Sequence, residues 1–301
     1  MIQKITRRDA LKYTLLATGA LALRWPGSSH GASAADRITF ALLSDNHLGR
    51  TGDKDIEQLQ TAIEEINNTG VQQVIFCGDL VNAGEKTDNQ KHYATWKSLA
   101  RKLSAPWIAV PGNHDPVDIF RQHIAPQTDA VVDHPPYRFI TFADAKPNPA
   151  HDGIVTPQQI NWITSKITEA KQKNLKVILV SHITHHDNRT PNRGWKIETG
   201  REHFSQLLSD HAGTVVAFIA GHFHFGLHGW QDTADGATKK LAQIVLPSTS
   251  WNEDAHLKNH VDWLVEDHRP AYVLAEATPE RMILRHKPVG GEVLTTREIA
   301  F

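Results

Sequence analysis

The 301-residue chain predicts an α/β fold built around a parallel sheet. Three observations point there. Short apolar runs rich in Val, Ile and Phe recur, helical stretches lie between them, and polar motifs stand where five of the runs end. Strands alternating with helices form βαβ units, whose crossovers lay successive strands parallel. In open sheets of this kind, ligands bind beyond the carboxyl ends of the strands.

Residues 38–43 come first, apolar with little alternation, as expected of a strand covered on both faces. Residues 55–68 place Ile56, Leu59, Ile63 and Ile66 at helical spacing and close on Asn68-Thr69-Gly70. The second and third strands are residues 74–77 and 107–110, with a helix near 92–103 between them. Beyond Asp115 the pattern loosens, and Pro135-Pro136 and residues 147–149 flank a strand at 137–142. Thr156-Pro157-Gln158-Gln159 opens a well-marked helix, with Thr as N-cap, Pro in the first turn and Gln three after the cap. Residues 176–180 and 214–220 are two further buried strands, each leading into a histidine. Residues 241–246, 271–275 and 281–285 are expected to form an antiparallel set. Without an internal repeat or low-complexity linker, residues 36–301 read as a single domain.

With 40% apolar and 22% charged residues, the composition is that of a soluble globular protein. A formal net charge of −1 gives no general attraction to nucleic acid or to anionic membranes. The one cysteine, Cys77, excludes an internal disulfide and a cysteine-based zinc site, and reads as a small buried strand residue. Histidine is the unusual count, at 19.

Residues 1–35 stand apart as a signal peptide. Thr6-Arg7-Arg8-Asp9-Ala10-Leu11-Lys12 precedes an apolar stretch at 13–23 that is too short to span a bilayer, and Ala32-Ser33-Ala34 offers small residues for cleavage. The arginine pair resembles a twin-arginine export signal, with Ala10 where a large apolar residue is usual. An ordinary secretory signal or an uncleaved amphipathic helix are the alternatives. The twin-arginine machinery is thus an expected partner, with a periplasmic or extracellular location and no stable membrane span. Removing residues 1–34 takes away five basic side chains and one acidic one, leaving 27 basic and 32 acidic, about −5. That moves the protein further from nucleic acid.

Five pieces then carry ligand chemistry: Asp45-Asn46-His47, Gly78-Asp79, Gly112-Asn113-His114-Asp115, His182 and Gly221-His222-Phe223-His224. Residues two apart in an extended strand share a side, so Asp45 and His47 are expected to reach one metal, and His222 and His224 one cavity. Carboxylate, imidazole and carboxamide donors suit Mn, Fe or Zn, and the lack of thiolate argues against a soft site. Gly78, Gly112 and Gly221 fall where the backbone turns sharply or approaches an ion closely. A lone D-x-H reads equally well as a polar turn. Five such pieces in series point to two metals at strand ends, a site that most often cuts phosphate esters.

The series D-x-H, G-D-x-x-x-x-G, G-N-H-D, strand-end His and G-H-x-H resembles the calcineurin-like metallophosphoesterase superfamily. Its second block is complete as Gly78-Asp79-Leu80-Val81-Asn82-Ala83-Gly84, and the pattern spans Asp45 to His224. The resemblance implies a metallo-dependent phosphatase fold, a four-layer α/β/β/α sandwich of two mixed sheets. It also implies two divalent or trivalent metal ions, Mn, Fe or Zn. The first would take Asp45, His47, Asp79 and His224; the second would take Asp79, Asn113, His182 and His222, with Asp79 as the bridge. Two such ions about 3.5–4 Å apart share a hydroxide that attacks phosphorus in line. By the same resemblance, His114 stabilises charge or protonates the leaving oxygen, and Asp115 orients its imidazolium.

Other residues remain two-sided. Asn46 and Asn82 either contact substrate or make local turn hydrogen bonds. His185 and His186 belong to a solvated loop or touch substrate. Trp195, Trp230 and Trp251 pack, or stack on a base or sugar. The expected function is hydrolysis of a small phosphate ester, a phosphomonoester or small phosphodiester. Gly78-Asp79-Leu80-Val81-Asn82 beside the G-N-H-D block is similar to the branch containing cyclic-nucleotide phosphodiesterases, although a scavenging role fits an exported protein better. A nuclease does not fit the acidic balance. The alternative of another class is a catalytically silent metal-binding scaffold, against which stand Asp45, Asp79, Asn113 and His114.

Overall fold

A computed structural model describes residues 37–185, 194–225, 241–252 and 268–301. The expected signal segment, His186 and Trp230 lie outside the described residues.

In the first sheet, β1 (Ile38–Leu43), β2 (Gln73–Cys77) and β3 (Trp107–Val110) run parallel. They are joined by α1 (Asp53–Asn67) and α2 (Lys91–Ala100), the crossovers anticipated from the apolar spacing. On the other side of β1, β11 (Ala271–Thr278), β12 (Arg281–Pro288) and β13 (Thr295–Ala300) add antiparallel, giving the order β13-β12-β11-β1-β2-β3. The second sheet has five strands: β10 (Ala242–Val245), β9 (Val215–Ala220), β7 (Lys176–Val180), β5 (Tyr137–Thr141) and β4 (Ala130–His134), in that order. All its neighbours are parallel except β4 with β5. A short parallel ladder joins β6 (Gly153–Ile154) to β8 (Ile197–Thr199).

Strand residues alternate between two faces, and both faces are buried here. Phe40, Leu42, Ile75 and Cys77 point at Phe139, Ile178 and Val180 of the second sheet, and Phe40 meets Phe139 edge-on at 5.1 Å. Ala41, Leu43, Val74 and Phe76 face the other way, onto Leu59, Ile63 and Ile66 of α1, Trp96 of α2 and Phe120 of α3 (Val117–His123). The second sheet does the same with Ile140, Leu179 and Phe218. These pack on Ile163 and Ile167 of α4 (Pro157–Gln172) and Phe204 and Leu208 of α5 (Arg201–Asp210). Helices, sheet, sheet and helices give four layers. Truncating an inter-sheet side chain such as Phe40 to Ala would cost about 3–5 kcal/mol.

The Thr156 capping box forms as expected, with the Thr156 side chain on the Gln159 N–H and the Gln159 side chain on the Thr156 N–H. One expectation fails. Residues 241–246 do not join the antiparallel set, because β10 pairs parallel to β9 in the second sheet. A short apolar run records that it is buried on both faces, and either sheet satisfies that. The polar run of β13, with alternate residues exposed, lacked a strand signal, and β4, α3 and α5 were likewise not anticipated. Among the described residues no helix is long and apolar enough to cross a membrane.

Candidate active site

The five pieces meet at the C-terminal edges of both sheets. Asp45 and His47 follow β1, Asp79 follows β2, and Asn113 and His114 follow β3; His182 follows β7, and His222 and His224 follow β9. Backbone bonds sew the loops together: the Asp45 N–H donates to the Gly78 carbonyl at 2.9 Å and the His47 N–H to the Asp79 carbonyl at 2.9 Å. Across the sandwich, the Ser248 hydroxyl donates to the Asp45 carbonyl at 2.7 Å.

Asp45 and His47 do converge, but not as neighbours on one face of a strand. Their backbones have φ of 53° and 45°, and Asp79 (53°), His222 (76°) and His224 (52°) share this left-handed region. Such a conformation costs a non-glycine residue roughly 1–3 kcal/mol and persists only where its surroundings over-determine it. Here it curls each loop inward just past the strand end. Gly112 and Gly221 serve close approach: a Cβ on Gly112 would collide with the Asp79 carboxylate, and one on Gly221 with Ser44.

The donor atoms fall into two groups that share Asp79. Asp45, His47, Asp79 and His224 present atoms within 4.8 Å of one another, as do Asp79, His182 and His222. In the first group His224 Nε2 lies 2.9 Å from Asp45 Oδ1, and His47 Nε2 lies 3.4 Å from Asp79 Oδ2 and 3.2 Å from His224 Nε2. In the second, His182 Nε2 lies 3.4 Å from Asp79 Oδ2 and 3.2 Å from Asn113 Oδ1. Backbone carbonyls set the ring tautomers. Cys77 O accepts from His182 Nδ1 at 2.7 Å, and His151 O accepts from His222 Nε2 at 2.9 Å. A carbonyl only accepts, so each bonded nitrogen carries its proton and the other ring nitrogen of the neutral ring is a lone-pair donor.

Charge makes the same case for cations. Burial alone would raise the Asp45 carboxyl, yet the adjoining His224 and His47 imidazoles hold it well below the ordinary carboxylate range. Asp79 is likewise held low, against burial, by His182 and His114. Burial presses His47 down to about 4 and His222 to about 3, so both are neutral at physiological pH. His182 goes the other way, to about 10: burial opposes its charge, but the Asp79 carboxylate outweighs burial. Two buried carboxylates thus share the centre with the neutral His47 and His222 rings, and among the described ion pairs theirs are with histidines alone. Buried charge of this kind is stable when it coordinates metal. The donors present fit two metal ions of the Mn, Fe or Zn type.

Beside the donors, His114 Nδ1 accepts the Ala83 N–H at 3.1 Å, which leaves Nε2–H as the donor of the neutral ring. The structure corrects the role expected of Asp115. Its carboxylate accepts from the Leu80, Val81 and Gly112 N–H groups and from the Tyr93 hydroxyl at 2.9–3.3 Å, and so ties the Asp79 loop to the His114 loop. Burial and the Asp79 charge push Asp115 up to about 6. Orienting the His114 ring falls to the Ala83 amide.

The donors open onto a cavity of about 130 Å³ that also takes in His114, His151, Trp195, Phe223 and Trp251. Trp251 packs its ring 4.2 Å from His224 and 4.5 Å from His47, with the Arg50 guanidinium 3.2 Å over it. Trp195 stacks on His151 and meets the His222 ring with centroids 5.1 Å apart. Both tryptophans therefore pack against ligand candidates while walling the cavity. Asn46, Asn82 and His185 are not in its lining. The Asn46 amide is used at both ends, by Thr249 Oγ1 at 2.6 Å and Trp96 Nε1 at 2.8 Å. The Asn82 backbone bonds to Leu48 and Asn89, and His185 is buried against Ser205 Oγ at 2.8 Å. His151 stands in a proline-rich stretch with no motif around it, so the sequence carries no signal for it.

Residues 38–226 match the family model described as calcineurin-like phosphoesterase. The chain is 24% identical, over 205 residues covering 60% of it and 70% of the relative, to the "Probable glycerophosphodiester phosphodiesterase GpdQ" of Arcobacter nitrofigilis. Among solved structures it is similar to a dimetal phosphatase from Danio rerio, with a TM-score of 0.68 at 15% identity, over 88% of this chain and 99% of that one. It is also similar to GAP50, "the anchor in the inner membrane complex of Plasmodium", with a TM-score of 0.62 at 16% identity, over 88% and 89% of the two chains. Both likenesses are of fold, and a phosphatase and an anchor share it.

Proposed function

The chain belongs to the calcineurin-like phosphoesterase family, and from that premise we propose that it is a two-metal hydrolase of small phosphate esters, phosphodiesters foremost. The observation that carries this reading is the pair of donor groups sharing Asp79, each with imidazole nitrogens turned toward a buried carboxylate. The name of the curated relative supports the diester preference.

In this reading Asp45, His47, Asp79 and His224 hold one ion, and Asp79, Asn113, His182 and His222 the other. When bound, the ions supply Lewis-acid charge at the phosphoryl oxygens and lower the pKa of an attacking water. The remaining work belongs to the chain. His114 points its Nε2–H at a phosphoryl or leaving oxygen, where a preorganised donor gains strength as negative charge develops. The Ala83 N–H keeps that ring from flipping. Asp115 fixes the distance between the loops of Asp79 and His114. Trp195, Trp251 and Phe223 limit water around the reacting centre.

Hydrolysis of bis-p-nitrophenyl phosphate and p-nitrophenyl phosphate by Mn²⁺-loaded protein tests the reading. Faster turnover of the diester is expected. Turnover of the monoester alone would recast the protein as a phosphatase, and no turnover of either by metal-replete protein would leave the scaffold reading.

Export is part of the same proposal, supported by the Arg7-Arg8 signal pattern. A reporter fused to residues 1–40 should stay in the cytoplasm of a strain lacking twin-arginine export; normal export there would overturn the assignment.

A further inference from the structure

His151 occupies a place in the cavity that the metal donors and His114 do not account for. Its carbonyl accepts the His222 Nε2–H at 2.9 Å, so its loop is pinned to a ligand candidate. Its ring lies nearly parallel to Trp195, with centroids 4.1 Å apart and planes at 18°. Packed face to face on an indole, the imidazole keeps a fixed plane, since rotation would give up the contact. The ring lines the same cavity as Asp79, Asn113 and His114. Its Nδ1 is buried without a hydrogen-bond partner. Leaving a buried polar nitrogen unsatisfied costs about 1–3 kcal/mol, and such exceptions in a well-packed fold call for an explanation.

We propose that His151 is a second substrate-binding imidazole, donating from the Trp195 wall of the cavity to an oxygen of the bound phosphate ester. The proposal rests on the phosphoesterase reading above. A neutral imidazole carries its N–H on one of its two nitrogens, so in the tautomer that protonates the cavity-facing nitrogen His151 donates to an anionic oxygen. A phosphodiester carries two non-bridging oxygens and two ester oxygens, enough for contacts to the ions, to His114 and to His151 together. The contacted oxygen is negative before reaction as well as during it. The bond therefore strengthens ground-state and transition-state binding alike, an effect that appears in KM more than in kcat.

The test uses inorganic phosphate as probe on the metal-loaded protein, with binding measured by calorimetry beside the kinetics of bis-p-nitrophenyl phosphate. His151→Phe retains an aromatic ring against Trp195 and the backbone carbonyl on His222, and removes the ring nitrogens with their N–H. A hydrogen bond to a charged group is worth about 1.5–3 kcal/mol, so phosphate affinity should fall about 10- to 100-fold and KM should rise by a similar factor. The metal content should stay at that of the wild type, with kcat within about threefold. His151→Gln, which keeps an N–H donor, should recover part of the affinity. Unchanged phosphate affinity and KM in His151→Phe would overturn the proposal, as would loss of metal from that variant, which would show a role in holding His222 instead. Should His151→Phe fail to fold, His151→Ala against His151→Gln gives the same comparison. If the wild type binds phosphate but turns over neither ester, the hydrolase reading fails. A His151-dependent phosphate affinity would then still stand.

Discussion

Where the first sheet reaches the site it delivers oxygens, those of Asp45, Asp79 and Asn113, with His47 and His114 among them; the second sheet delivers only ring nitrogens, from His182, His222 and His224. The two halves are also held differently. On the first sheet the carboxylates sit in backbone amides: Asp79 Oδ1 takes the His114 N–H at 2.9 Å, and Asp115 takes three N–H groups and a tyrosine hydroxyl. On the second sheet the His182 and His222 rings hang from carbonyls, and one buried carboxylate, Asp144, braces the loop from behind through the His182 and Ile183 N–H groups at 3.1 Å. Burial raises Asp144 to about 6. Buried carboxylates on one side and ring nitrogens on the other make a clamp across the sandwich. Such a clamp suits a cation, and Asp79 is the member that both groups use.

Breaking that shared member should have the largest effect. Asp79→Asn removes the one charge common to both donor groups, so metal content and activity should fall together. The loss of activity should exceed about 10³-fold, because metal-based charge stabilisation is worth several kcal/mol. Metal analysis beside hydrolysis of bis-p-nitrophenyl phosphate checks it, and a variant that kept both ions would break the picture of a shared clamp. Next comes His114, on the oxygen-rich side but in neither donor group. His114→Ala should keep its metals and slow turnover by about 10²–10⁴-fold. Near-normal rates with an alkyl leaving group would remove it from the chemistry.

A smaller effect is expected where a carboxylate braces loops without being one of the donors. Asp115→Asn puts an amide N–H₂ among four donors and should destabilise the fold by about 1–3 kcal/mol, seen as a drop of several degrees in Tm. A loss of His114 function with unchanged stability would instead return Asp115 to the role of orienting that ring. The smallest effect lies away from the clamp, on β4. There Asp133 accepts from Arg138 Nε at 2.6 Å and Nη2 at 2.7 Å, and these bonds hold its carboxyl below the usual range. A depressed folded-state pKa stabilises the fold above the ordinary carboxylate value, and the benefit is lost as pH falls through the lowered one. Asp133→Asn should therefore cost up to about 1 kcal/mol at neutral pH, since the pair is partly exposed. The gap to wild type should close as the pH drops below 3.8. Denaturant melts at pH 7 and pH 3 measure it, with kcat unchanged.

Much of this arrangement was legible from local pattern. The strand β1 and the Thr156 capping box stand where apolar spacing and cap residues put them, because period and capping are properties of a few consecutive residues. The ligand candidates were visible for a similar reason: polar residues directly after buried strands must sit at a sheet edge. What Asp115 bonds to was not visible. Its four partners come from three separate stretches, and one carboxylate beside a histidine in sequence says nothing about which amides surround it. His151 was invisible for the same reason, as its role arises from Trp195 and His222, 44 and 71 residues further along.

By itself the sequence determined the chemistry of the donors, the parallel core of the first sheet and the family pattern, since residue type and short-range spacing carry all three. Only the tertiary structure decided which sheet β10 joins, that the ligand loops curl through left-handed backbone, which ring nitrogen of each histidine faces the centre, and that Asp115 braces loops while Ala83 steadies His114. Those are decided by partners far apart in the chain. A hydrogen-bonding group or a two-sided apolar strand accepts many partners equally well until packing leaves it one.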